Sequence, residues 1–105
     1  MGQRVIAGAL AEPTRWQLVA AVERTGHPRC GVDAGGLAGC PAVGVAVSDA
    51  WTCPTDVVID FSLPEAVAGI IATCVEKRIP LVVATTGLTA ADHERIAEAA
   101  CGIPV

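Results

Sequence analysis

The segment DVVIDFSLPEAVAGIIATCVEKRIPLVVATTG, residues 56–87, most constrains what this chain can fold into. DVVIDF, residues 56–61, is a short apolar run that reads as a buried strand. It leads straight into a helical pattern, with Val67, Ile70, Ile71, Cys74 and Val75 recurring at the helical period. Ser62 and Glu65 have the S-x-x-E spacing of a capping box, with Pro64 inside the first turn. Lys77 and Arg78 suit the negative end of the helix dipole. Residues 81–84 form a second strand that ends in a polar turn. Thr89 can cap a last helix, with Asp92 at its third position and residues 97–100 closing it. The final IPV reads as the start of another strand. Strands alternating with helices pair in parallel through right-handed crossovers.

The first half is less regular. In MGQRVIAGALAEP, Val5, Ile6, Ala9 and Leu10 share one helical face, and Pro13 ends the pattern. Residues 16–24 follow, and their continuous apolar run, residues 18–22, reads as a buried strand. Residues 25–41 are rich in Gly and Pro and read as loop, with a helical turn at 34–38. Residues 44–49 give a short strand, and residues 51–55 a connection. The predicted order is helix, strand, loop, strand, helix, strand, helix, strand.

Composition agrees with this plan. The 105 residues suffice for one domain with a modest core. With 52% hydrophobic and 17% charged residues and a mean hydropathy of +0.54, the chain is too apolar for disorder. Parallel strands covered on both faces explain such a balance. A formal charge of −4 argues against a nucleic-acid surface, which needs clustered Lys and Arg. Cys30, Cys40, Cys53, Cys74 and Cys101 lack metal or redox spacing. An odd count without a secretory leader points to reduced thiols in a cytoplasm. Cys74 is expected in the core and Cys101 close to it. Met1-Gly2 lacks the Ser or Thr that N-myristoylation wants, since Ile6 stands there. The longest apolar run, residues 66–75, is too short to span a bilayer. No metal site is expected, and neither His27 nor His93 is placed for catalysis.

In parallel sheets, ligands bind beyond the carboxyl ends of the strands. Three places qualify. Glu23-Arg24 follows the run 18–22. Glu23 lies 21 positions after Gly2, close to the roughly 20-residue spacing from a glycine fingerprint to a ribose-binding acid. Arg24 could meet a 2′-phosphate; both residues also suit an ordinary charged strand end. In Asp60-Phe61-Ser62, Phe61 could lie against a flat ring and Ser62 could cap the helix while facing a ligand. A cap beside a core aromatic is the plainer alternative. Asp60, at a buried strand end, needs partners for its carboxylate. In ATTG, residues 84–87, small residues let backbone N–H groups approach a ligand. A turn held by Thr–backbone bonds is the alternative.

Taken in order, LVAAVERTGHP, GVDAGGLAG, DVVIDFSLPEA and VVATTGLT resemble dihydrodipicolinate reductase over the whole of residues 1–105. IDFSLPEA followed by TTG is the most specific part. The resemblance implies an α/β fold: an incomplete Rossmann-type doubly wound parallel sheet lacking its first, central strand. Residues 1–105 would be a partial NAD(P)-binding domain, with the C-terminal catalytic and substrate domain outside them. Met1-Gly2 would match the end of the family's Gly-Arg-Met-Gly phosphate loop. Glu23 would hold ribose hydroxyls, and Arg24 would tolerate or bind the extra phosphate of NADPH, so NADPH or NADH would serve. Phe61 and Ser62 would border the nicotinamide. Thr85, Thr86 and Gly87 would contact the nicotinamide ribose and the substrate, and Ala84 stands where the family usually has Gly.

No catalytic residue would lie within 1–105. The full enzyme would reduce a cyclic dicarboxylate on the diaminopimelate route to lysine, as a cytoplasmic homo-oligomer without nucleic-acid or membrane partners. Without the central strand, the strands at 18–22 and 57–61 would keep unpaired edges. The isolated chain is then expected to be marginally stable, weak in cofactor binding and inactive alone. A non-catalytic nucleotide-binding or interaction module is the alternative, and a decayed reading frame is another.

Overall fold

A computed structural model describes residues 2–105. Its elements run α1 (Gly2–Leu10), β1 (Ala21–Val22), α2 (Ala34–Leu37), β2 (Val47–Ser48), β3 (Val58–Asp60), α3 (Pro64–Lys77), β4 (Leu81–Val83) and α4 (Ala90–Ala99). The chain divides into two compact units, one ending at Pro54 and the other beginning at Thr55.

In the first unit, α1 half-buries its predicted apolar face, Val5, Ile6, Ala9 and Leu10, and packs on α2. β1 pairs in parallel with β2, Ala21 opposite Val47 and Val22 opposite Ser48. The expected buried strand at 18–22 is therefore a two-residue strand, and it is not buried. Val19 is 37% and Val22 51% exposed. The other edge of β2 is taken by the chain that enters α2: Val47 N–H donates to the Val32 carbonyl and Gly31 N–H to the Val47 carbonyl, both at 2.8 Å.

Asp33 organises this corner. Its carboxylate caps α2 by accepting from Gly36 N–H at 3.0 Å, and it also accepts from Gly44 N–H at 2.9 Å and from Val43 N–H. The Gly36 N–H in first place holds the Asp33 carboxyl below its ordinary range; the Val43 and Gly44 amides add to this, and burial opposes it. Four residues could not stand as a free helix, so the cap and the tethered loop at 43–44 stabilise α2.

The second unit is a strand–helix–strand–helix unit. β3 and β4 are parallel and in register, with Val58, Ile59 and Asp60 opposite Leu81, Val82 and Val83. α3 packs on β3 and on α4. It buries Val67, Ile71 and Cys74 at helical spacing, while Ile70 is half-buried and Val75 exposed. Leu81, Ile79, Ala99 and Ile103 complete this core. The strands are covered on one face only: Ile59 and Val82, register partners, are 45% and 50% exposed. The composition-based expectation of burial on both faces thus fails among the described residues.

Two helix ends test the capping arguments. The Ser62–Glu65 box does not form. Leu63 is the N-cap of α3, extended at φ −89° and ψ 155°, with Pro64 at the first turn and no side-chain cap. The cause is Pro64, whose ring disfavours helical geometry at the residue before it. The helix therefore starts one residue too late for Ser62 to cap it, and the Ser62 hydroxyl donates to the Leu63 carbonyl instead. At α4 no proline intervenes, and the Thr89–Asp92 capping box is complete. Thr89→Ala is expected to lower stability by about 1 kcal/mol, read as a shift in the urea midpoint at constant slope.

At the far end of α3, Arg78 takes the left-handed conformation, φ 55°, and its N–H bonds to the Val75 carbonyl. Cys74 is in the core as expected, whereas Cys101 is exposed, because it follows the last turn of α4. The terminal IPV is not a strand; the Pro104 carbonyl ties it to the sheet by accepting from Leu81 N–H at 2.9 Å.

Candidate functional site

Parallel register puts the carboxyl ends of β3 and β4 at the same edge of the second unit. There the Asp60 backbone carbonyl accepts from Ala84 N–H at 2.9 Å, which continues the pairing one step into the turn. The Asp60 side chain, 4% exposed, turns into the same corner. Its Oδ1 accepts from Ser62 N–H at 2.8 Å, and its Oδ2 accepts from the Thr85 hydroxyl at 3.3 Å. The partners that a buried carboxylate requires are thus supplied by the two segments expected to face a ligand.

The structure brings together the six candidate residues of this half. Phe61, 37% exposed, stands beside the corner and is not a core aromatic. Ser62 is half-buried, as are Ala84 and Thr85, while Thr86 and Gly87 are exposed. Gly87 has φ +77°, which L side chains rarely adopt, and a Cβ there would lie 3.7 Å from Pro64 Cγ. The 84–87 turn therefore sits against the first turn of α3, with Gly required by its backbone. Polar edges, exposed hydroxyls and one aromatic face make a surface that can receive a flat ring bearing hydroxylated sugar.

In the first unit Glu23 and Arg24 follow β1 and are exposed. Glu23 N–H donates to the Ser48 carbonyl at 2.8 Å, which fixes the backbone at the strand end and leaves the side chain outside. Its Oε2 lies 3.9 Å from His27 Nε2, an ion pair only when that histidine is protonated. A cleft of about 260 Å³ opens in this unit, lined by Val19, Ala21, Val45, Ser48, Thr52 and Cys53 among others. Gly2 begins α1 and is exposed. Met1, also expected to touch a cofactor, lies outside the described residues.

Cys74 is the one buried thiol among the described residues. Burial first, and then the charge of Asp60, push the Cys74 thiol up from its ordinary value. Among the described residues no group of three or more His, Cys, Asp or Glu could hold a metal ion. No helix among them is long and apolar enough to cross a membrane. The residue missed as a site member is Asp60. The sequence carried a sign of it: a carboxylate ends an apolar run, Ser follows two positions later, and a second hydroxyl-rich turn follows the parallel partner strand.

Comparison with known proteins meets this geometry. The family model described as dihydrodipicolinate reductase, N-terminus, matches residues 1–105. A 4-hydroxy-tetrahydrodipicolinate reductase of Rhodopirellula baltica is 44% identical over 110 residues, which is 100% of this chain and 39% of that protein. One of Anaeromyxobacter is 44% identical over 108 residues, again 100% of this chain and 39% of the relative. One of Alkalilimnicola ehrlichii is 42% identical over 105 residues, 97% of this chain and 39% of the relative. The chain thus spans well under half the length of the curated relatives it matches. With paired parallel strands, polar turns at their carboxyl ends and a match along its whole length, the chain belongs to the dihydrodipicolinate reductase family, corresponding to its N-terminal part.

Proposed function

We propose that the natural protein carrying this chain is an NAD(P)H-dependent 4-hydroxy-tetrahydrodipicolinate reductase, and that residues 1–105 are part of its cofactor-binding domain. The enzyme passes a hydride from the nicotinamide to the unsaturated ring of a cyclic dicarboxylate on the diaminopimelate route to lysine. The observation that carries this is the joined pair of turns at 60–62 and 84–87, found in a chain of this family.

The cofactor supplies the hydride; the chain supplies binding and orientation. Glu23 accepts hydrogen bonds from the adenosine ribose hydroxyls. Arg24 offers a guanidinium to the 2′-phosphate of NADPH, a charge-assisted contact. Phe61 and Ser62 border the nicotinamide, and Ala84, Thr85, Thr86 and Gly87 meet its ribose. Met1 and Gly2 correspond to the end of the family's phosphate loop, and Gly2 opens α1, where a helix N-terminus favours the pyrophosphate anion. The proton donor and the groups that clamp the dicarboxylate come from a second, catalytic domain outside residues 1–105. We place the enzyme in the cytoplasm, as a homo-oligomer.

Fluorescence titration of the natural protein with NADPH and NADH tests this. Glu23→Ala is expected to weaken both cofactors by about tenfold to a hundredfold, because hydrogen bonds to a charged acceptor are lost. Arg24→Ala is expected to weaken NADPH more than NADH. A protein that binds neither cofactor, or a Glu23→Ala variant that binds both like the parent, rejects the assignment.

A further inference from the structure

The Asp60 carboxylate does more than close the corner of the second unit. Two groups hydrogen-bond to it among the described residues, and both must donate. Ser62 presents a backbone N–H, 2.8 Å from Oδ1, which can only donate. The Thr85 hydroxyl, 3.3 Å from Oδ2, has one proton and faces an acceptor with none, so that proton points at Asp60. Thr85 is half-buried at the edge where the turn opens to solvent. Its oxygen then has only lone pairs left to offer outward.

We propose that Asp60 is a positioning residue that fixes Thr85 as a hydrogen-bond acceptor, so that this point of the site takes a donor group from the ligand. This rests on the cofactor assignment above, under which the donor is a hydroxyl of the nicotinamide ribose. Asp60 itself, 4% exposed, does not touch the ligand; it acts by setting the direction of one proton.

Asp60→Asn separates this role from a structural one. The Asn carbonyl must face Ser62 N–H, because an amide NH₂ there would oppose another donor. The NH₂ group therefore faces Thr85 and donates to it. Both hydrogen bonds survive, but the Thr85 hydroxyl now points its proton outward, so the ribose hydroxyl can no longer donate to it and must turn to accept, giving up the direction in which it donates in the parent site. In the natural protein, Asp60→Asn is expected to keep its melting temperature and to bind NADPH about tenfold more weakly. Thr85→Val is expected to weaken binding similarly, and Thr85→Ser, which restores the hydroxyl, to bind like the parent. The double variant Asp60→Asn/Thr85→Val is expected to bind no more weakly than Thr85→Val alone.

Parent-like binding by Asp60→Asn overturns the proposal, as does multiplication of the two penalties in the double variant. If Asp60→Asn does not fold, the Thr85 pair decides. Parent-like binding by Thr85→Val, or failure of Thr85→Ser to restore binding, then overturns it. A parent protein that binds neither NADPH nor NADH removes the cofactor assignment itself, an outcome distinct from all of these.

Discussion

Gly35→Ala is expected to unfold the first unit under conditions where the parent chain is folded. Gly35 is buried in α2, and a Cβ added there would run into the backbone carbonyl of Pro41, with Asp33 Oδ2 and Val43 Cγ1 each 3.1 Å away. A side chain could swing aside, but a backbone carbonyl cannot move without its loop. That loop is held by the Asp33 carboxylate through Val43 and Gly44 N–H. Relief of the clash therefore breaks the bonds that stabilise α2. Overpacking of this kind costs about 3 kcal/mol or more, a large share of the roughly 5–15 kcal/mol that holds a domain together. The control is its neighbour. Gly36 has nothing within 4 Å of an added Cβ, and Gly36→Ala is expected to be neutral or to stabilise the helix by up to about 1 kcal/mol. Urea unfolding of the two variants side by side checks the contrast; equal midpoints would show that α2 does not sit against the 41–44 loop.

Leu81→Ala is the second large effect, expected to destabilise by about 2–5 kcal/mol. Leu81 opens β4, is 2% exposed, and is among the largest side chains fully buried among the described residues, with Val67 and Cys74. Truncation leaves a cavity in this core, and the neighbouring backbone is pinned by Leu81 N–H on the Pro104 carbonyl, so collapse is restricted. Val82 supplies the contrast, since it points to the uncovered face at 50% exposure. Val82→Ala is expected to cost less than about 1 kcal/mol. Thermal unfolding of both variants measures the difference. A Val82→Ala loss as large as that of Leu81→Ala would mean that the faces of β4 are assigned the wrong way round.

The second half of the fold was legible in the sequence because its patterns are complete. Residues 56–61 and 81–84 are short apolar runs on either side of a full helical stripe, and only a parallel strand–helix–strand unit satisfies both periods. The Thr89–Asp92 cap was legible for the same reason: all its chemistry is local. The Ser62–Glu65 cap was misread because the restriction from Pro64 acts one residue upstream and overrides the spacing. The run 18–22 was misread as a buried strand because apolar composition says nothing of how many residues find a partner; here two do.

At the candidate site, positions 61–62 and 84–87 could be placed at strand ends from the sequence, since a parallel strand delivers its carboxyl end to a ligand-facing edge. The role of Asp60 could not, because its partner Thr85 lies 25 residues away and only the register of β3 against β4 brings the two together. Asp33 was invisible for a similar reason. Its cap to Gly36 is local, but its grip on Gly44 spans 11 positions.

The tie between Asp60 and the two turns has one more consequence. Fixing a residue of flexible loop carries an entropy penalty of roughly 1–2 kcal/mol, ordinarily met when a ligand arrives. Here Ser62 and Thr85 are immobilised by the same carboxylate as the chain folds. A molecule that docks on one turn finds the other preorganised, and its contact energy goes to affinity rather than to freezing the protein.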